Sequence, residues 1–186
     1  MAKINTAVFA SGRGSNFLAI VKAIRKGSLK GVNISLLVCD NPSAPVVYKA
    51  KKLNIKTVLI NPDLYGGREE FENKITGYLK ENKISLIVLA GFMRMLSPSF
   101  VRAYKNRIIN IHPSLLPAFK GRQAIKDAFD FGVKVTGVTV HFVDDRMDHG
   151  PVILQKEVRV DKDESLSSLE EKIHRVEHKL YPLAIK

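Results

Sequence analysis

The chain has 186 residues, of which 45% are hydrophobic, and a formal net charge of +12, enough apolar material for a substantial core without low-complexity or fibrous character. Cys39 is the single cysteine, which excludes an internal disulfide framework and points to a reducing cytoplasm, and no run reaches the roughly 18 apolar residues of a membrane span or reads as a signal h-region, so a soluble, untargeted protein with no membrane partner is expected. The basic charge admits nucleic acid, phosphorylated metabolites or polycarboxylates, but Lys and Arg are scattered without a continuous tract, zinc-finger spacing or ribonucleoprotein aromatic motif, so a solvated surface that attracts small anions is expected and no nucleic-acid partner.

Residues 6–10 read as a strand, followed by Ser11, Gly12, Arg13, Gly14 and Ser15 and a helix with Phe17, Ile20, Val21 and Ile24 on one side, capped by Ser15 or Asn16. Residues 32–39 form a second strand, 45–53 a helix and 56–60 a third strand. Phe71, Ile75, Tyr78 and Leu79 give the inner stripe of a helix over 68–82, and 86–90 is a wholly apolar strand, as expected for one covered on both faces. Ser97–Pro98 starts another helix, with Pro at the first position. Residues 108–111 are the next strand, and 123–131 a helix. This alternation predicts an α/β fold, a mostly parallel twisted sheet with helices on both faces. Val138, Val140 and Phe142 then alternate with Thr139, His141 and Val143, and Val152, Leu154, Val158 and Val160 follow a loop, which predicts two half-exposed antiparallel strands appended in the C-terminal part. The last helix has Leu166, Leu169, Ile173, Val176 and Leu180 as its seam and Ser165 as its cap. No repeat or linker interrupts the chain, so 1–186 reads as a single domain.

Period two places Asn110 and His112 on one face of their strand, with Ile109 and Ile111 on the other, and Pro113 ends the ladder because it has no N–H to give. An amide and an imidazole thus stand at the carboxyl end of a strand, where open α/β sheets hold ligands. Gly12 and Gly14 invite the dinucleotide fingerprint, but its third position is Phe17, so that motif fails, as does a Walker A loop. What survives is a glycine turn delivering Gly14, Ser15 and Asn16 to a helix N-terminus suited to phosphate, although the same spacing serves an ordinary tight turn equally well. His174 and His178 with Glu177 match an H-x-x-E-H zinc pattern, but Val176 belongs to the seam and no third ligand follows, so helix-surface histidines and no metal are expected. Among Asp144, Asp145, Asp148 and His149, Asp148 beside Gly150–Pro151 stands where a carboxylate could orient His112 and favour its protonated form. With no nucleophile elbow and no partner near Cys39, any chemistry is acid–base and electrostatic.

Several long motifs then fall in register from end to end: Ala10–Ser11–Gly12–Arg13–Gly14–Ser15–Asn16; Leu89–Ala90–Gly91–Phe92–Met93–Arg94–Met95–Leu96–Ser97–Pro98; Asn110–Ile111–His112–Pro113–Ser114–Leu115–Leu116–Pro117; and Val138–Thr139–Val140–His141–Phe142–Val143 with Asp148–His149–Gly150–Pro151. In these the chain resembles the phosphoribosylglycinamide formyltransferases, a folate-dependent family of purine biosynthesis with a Rossmann-like formyltransferase fold. The resemblance implies transfer of a formyl group from 10-formyltetrahydrofolate to the amine of glycinamide ribonucleotide, without metal or covalent enzyme intermediate. It implies that Gly14, Ser15 and Asn16 hold the ribose phosphate, that Glu177 helps position the glycinamide substrate, and that Arg68, Met93, Arg94, Met95 and Leu96 serve the folate. Asn110 would contact both folate and formyl group, and Asn110, His112 and Asp148 would form the catalytic set. The N-terminal half becomes the phosphate side and the C-terminal half the folate and catalytic side, with monomer and homodimer both open.

Two departures accompany the resemblance: the sequence ends at Lys186 where relatives commonly continue, and Lys120 stands where some have Pro. Formyltetrahydrofolate hydrolase and methionyl-tRNA formyltransferase share the Asn/His/Asp logic but bring additional domains for which 186 residues leave no room. A basic, non-catalytic nucleic-acid-binding module is the alternative from another class.

Overall fold

Strands β1 (Ile4–Phe9), β2 (Val32–Cys39), β3 (Thr57–Leu59), β4 (Leu86–Leu89) and β5 (Ile108–His112) pair in parallel, and β6 (Val135–Phe142) and β7 (Val152–Arg159) continue the sheet antiparallel. This computed structural model describes residues 3–186, with strand order β3-β2-β1-β4-β5-β6-β7. The helices are α1 (Ser15–Arg25), α2 (Pro45–Lys52), α3 (Arg68–Glu81), α4 (Pro98–Ala103), α5 (Ala124–Phe131) and α6 (Leu166–Ile185), with a short 3-10 turn at Pro62–Leu64. The chain runs from β1 outward to β3 and then returns to the other side of β1, so the order reverses between β1 and β4. At such a switch point adjacent crossovers leave the sheet on opposite faces and open a crevice at the carboxyl ends.

Alternation along each strand sorts the core into two layers. Val8, Leu37, Val88, Ile109, Val138 and Val140 meet Phe17, Ile20, Val46, Leu169 and Ile173 from α1, α2 and α6. Ala7, Phe9, Leu36, Ile87 and Ile108 meet Phe71, Ile75, Leu79, Phe100 and Val101 from α3 and α4. Each fully buried aliphatic side chain contributes roughly 1.5–3 kcal/mol, so these layers dominate over the exposed ion pairs. On the first layer Tyr181 is fully buried, and its hydroxyl donates to Leu89 O at 2.8 Å and Ile109 O at 3.1 Å, joining α6 to β4 and β5.

The structure departs from the sequence reading in four places. Gly14, in the left-handed region, is the N-cap of α1 and no side chain caps it; Ser15 is already helical, and neither Ser15 nor Asn16 fills that role. β6 is buried along most of its length instead of half-exposed, because it lies between β5 and β7 with its polar positions facing other polar groups. On α6 the seam includes Glu177 and Tyr181, with Leu166 and Val176 only partly buried. On α3, Glu72 is buried and Tyr78 half-buried. The cap at Ser165 forms as expected, accepting from Ser168 N, and α4 starts at Pro98 as expected, with Ser97 accepting from Phe100 N. No described helix is long and apolar enough to cross a membrane.

Candidate active site

The turn after β1 is built by steric exclusion. Gly14 has φ 71°, and a Cβ there would lie 2.4 Å from Val46 Cγ2, so only glycine permits α2 to pack this close. With no capping side chain, the first-turn N–H groups of α1 remain free for an anion. Asn16 is buried; its Nδ2 donates to Glu177 Oε2 at 3.1 Å, while its Oδ1 has no partner. His174 Nδ1 donates to the same Glu177 oxygen at 3.0 Å, and Arg13 Nη2 lies 3.4 Å from His174 Nε2. Arginine only donates, so Nε2 accepts and the proton of the neutral ring sits on Nδ1. The bond to Glu177 raises the pKa of His174, against the opposing effect of burial. Gly14, Asn16 and Glu177 are thus brought together, with Arg13 and His174 at the mouth.

Across the switch point, Ser11 N donates to Gly91 O at 3.0 Å and Met93 N donates to Ser11 Oγ at 2.9 Å, which joins the turn after β1 to the loop after β4. In that loop Met93 and Met95 are exposed and Leu96 is buried. Arg94 Nε meets Asp40 Oδ2 at 2.8 Å, so its charge is already matched, and Arg122 donates to Met93 O at 2.8 Å. Arg68 opens α3, exposed to solvent, and no described hydrogen bond or ion pair joins it to these groups.

The third part lies on β5 and β6. In their antiparallel register Asn110 faces His141 and His112 faces Thr139, so period two puts all four side chains on one side of the sheet. His141 Nδ1 lies 2.8 Å from Phe142 O; a carbonyl only accepts, so that nitrogen carries the proton and Nε2 accepts from Asn110 Nδ2 at 3.2 Å. Burial holds the pKa of His141 below its usual value, which keeps this acceptor available. His112 Nε2 donates to Phe119 O at 2.8 Å, and Nδ1 lies 3.4 Å from Asp148 Oδ2. Nε2 thus has an acceptor and Nδ1 faces a carboxylate. Asp148 also accepts from Gly121 N at 2.9 Å and approaches His141 Nε2 at 3.9 Å.

Backbone geometry holds this cluster as well. Asp148 (φ 49°) and Phe119 (φ 48°) both adopt the left-handed region, which is uncommon for Asp and costly for Phe. A Cβ on Gly150 would lie 1.9 Å from Phe142 O, so glycine lets the loop carrying Asp148 lie against the end of β6. Asp144 and Asp145 take other partners, His149 at 2.7 Å and Arg102 at 3.7 Å. Among the described residues no group of three or more His, Cys, Asp or Glu side chains is arranged to hold a metal.

Sequence reasoning named Asn110, His112 and Asp148 but not Thr139 or His141 as site residues. Their signal was the alternation of Thr139 and His141 with Val138, Val140 and Phe142; the cross-strand register that faces them to Asn110 and His112 is not written in either segment. Thr139 is fully buried, donates to Ser114 O at 2.7 Å and accepts from Leu116 N at 3.0 Å, fixing the turn after His112.

The chain matches the formyl transferase family over residues 4–185. It is 46% identical over 180 residues to the phosphoribosylglycinamide formyltransferase of Bacillus subtilis, covering 97% of this chain and 92% of that one. It is 40% identical over 184 residues to the human trifunctional purine biosynthetic protein adenosine-3, covering 99% of this chain and 18% of that longer protein. Among solved structures, it is similar to glycinamide ribonucleotide transformylase 1 from Geobacillus kaustophilus, with TM-score 0.96, 48% identity and coverage of 98% and 97% of the two chains. It is likewise similar to phosphoribosylglycinamide formyltransferase from Bacillus halodurans, with TM-score 0.94, 44% identity and coverage of 97% and 93%.

Proposed function

The chain belongs to the formyl transferase family, and on that premise we propose that it transfers the formyl group of 10-formyltetrahydrofolate to the amine of glycinamide ribonucleotide, in de novo purine biosynthesis. The observation that carries this reading is the gathering of Asn110, His112 and Asp148 at the end of β5, at the same carboxyl end of the parallel strands as the uncapped first turn of α1. The side chains suit acyl chemistry and the backbone amides suit a phosphate.

The first-turn amides at Gly14, Ser15 and Asn16 hold the ribose phosphate, and Glu177 positions the glycinamide substrate. Folate lies against the 93–96 loop, with Arg68 meeting its far end. The substrate amine attacks the formyl carbon, and the carbonyl electron pair moves to oxygen. Asn110 and protonated His112 donate to that oxyanion, an electrostatic role typically worth about 10²–10³ in rate per donor. The Nδ1 contact of His112, at 3.4 Å, is long enough to shift toward substrate while Nε2 stays on Phe119 O. Collapse breaks the bond from the formyl carbon to the folate nitrogen. The proton lost by the attacking amine is delivered to that nitrogen, with Asp148 relaying it and stabilising His112. His141 orients the Asn110 amide by accepting one of its two N–H groups, leaving the other for the oxyanion.

A formyl-transfer assay with both substrates tests the assignment. Turnover should fall about 10²–10³-fold in N110A and in H112A. Turnover near wild type in either folded variant removes that residue from the mechanism, and absence of transfer by the wild-type protein removes the function itself.

A further inference from the structure

The 91–97 loop, between β4 and α4, has no regular secondary structure, yet its backbone is tied at both ends. At the front it is held by Ser11, by the Arg94–Asp40 pair and by Arg122 on Met93 O. At the rear one side chain from α3 holds it. Glu72 Oε1 accepts from Ser97 N at 2.6 Å, and Glu72 Oε2 accepts from the Ser97 hydroxyl. Ser97 Oγ in turn accepts from Phe100 N at 3.1 Å and lies 2.9 Å from Ser99 Oγ, so the same residue ends the loop and caps α4.

Glu72 lies beside Phe71, Ile75 and Leu79 on the inner side of α3, where an apolar residue would fill the volume without desolvating a charge. Glu72 is 4% exposed and Ser97 6% exposed, and among the described residues no Lys, Arg or His forms an ion pair with Glu72. Placing a carboxylate here is costly unless its hydrogen bonds are satisfied, and both oxygens are committed to a single residue. Glu72 also stands one turn along α3 from Arg68, on the same side of the helix, so the element that carries Arg68 also anchors the loop.

We infer that Glu72 is a positioning residue for the formyl donor: by holding Ser97 it sets the conformation of the 91–97 loop, without touching either substrate. The inference rests on the reading of that loop as the folate side of the site. It predicts a selective effect, because the acceptor side is built from α1, Asn16 and Glu177, none of which contacts Glu72 or Ser97 by hydrogen bond.

The test uses E72Q and S97A in the full chain, with KM for each substrate, kcat, thermal melting and calorimetric binding of tetrahydrofolate. E72Q should raise KM for the donor about tenfold or more, the scale of one lost charge-assisted hydrogen bond, while KM for glycinamide ribonucleotide stays within about twofold and the protein melts as a folded unit. S97A should raise donor KM by a smaller factor, and the double variant should be no worse than E72Q, since both act through one contact. Equal rises in both KM values, unchanged donor KM in E72Q, or full additivity in the double variant would overturn the inference. Should E72Q not fold, unchanged donor KM and tetrahydrofolate affinity in S97A overturn it. If the wild-type protein binds no tetrahydrofolate, it is the reading of the loop as a folate site that fails.

Discussion

The turn at Gly14 and the cluster at His112 lie at the same carboxyl end of the parallel strands but are made of different materials. The first is backbone: a left-handed glycine, free amides and one buried carboxylate reached from α6. The second is side chains on two antiparallel strands, completed by a loop carboxylate. Their histidines differ accordingly. His174, bonded to Glu177, holds its proton more tightly than usual, while His141, buried beside Asn110, holds it less tightly. A backbone site tolerates changes in side-chain chemistry and fails when space is lost, whereas a side-chain cluster tolerates changes in space and fails when a proton or a donor is lost.

The largest expected effect tests the chemical half of that contrast. D148A should lower kcat by about 10²–10⁴-fold, through loss of the proton relay and of the charge facing His112, with KM for the phosphorylated substrate nearly unchanged in steady-state kinetics. A rise in that KM alone would place Asp148 with the phosphate side. Next in size is G14A, which tests the steric half. The left-handed backbone costs an L-residue about 1–2 kcal/mol, and the Cβ would meet Val46 at 2.4 Å. Its melting temperature should fall and its KM for glycinamide ribonucleotide should rise, with donor KM little affected; an unchanged KM would separate this turn from the phosphate.

A smaller effect follows from the two histidines. Below the ordinary value of 6.5 the unfolded chain protonates His141 before the folded chain does, so this group makes stability fall as pH drops from 6.5 toward its lowered folded pKa. His174 acts in the opposite sense: its contribution is present in full below 6.5 and is lost as pH rises through its raised folded pKa. Thermal melts should change slope below pH 6.5 in H141Q and above it in H174Q, in opposite directions, and parallel changes would erase the distinction. The smallest effect belongs to neither region. Lys56 and Glu81 are 48% and 62% exposed, so K56A should change stability by less than about 1 kcal/mol in chemical denaturation.

The same contrast governs what could be read in the sequence. The glycine turn, the apolar strands, the helix start at Ser97–Pro98 and the Ser165 cap are local, and spacing alone located them. Asn110 and His112 were legible because two residues on one strand share a face. Their pairing with His141 and Thr139 depends on antiparallel register, and Glu72 on which stretch packs over α3; both are tertiary facts. The expected half-exposure of β6 failed for a related reason: an alternating pattern reports polarity, and polarity was buried here because another polar face covered it.

Tyr181 gives this arrangement a ruler. Its hydroxyl fixes one point of α6 against Leu89 of β4 and Ile109 of β5, and Glu177 stands four residues earlier, about 6 Å along the axis. A slide of α6 by one turn, about 5.4 Å, would break both hydroxyl contacts and carry Glu177 away from Asn16. The distance between the Glu177 carboxylate and the carbonyls of β4 and β5 is therefore measured out by helix pitch, and a single phenolic proton sets its zero.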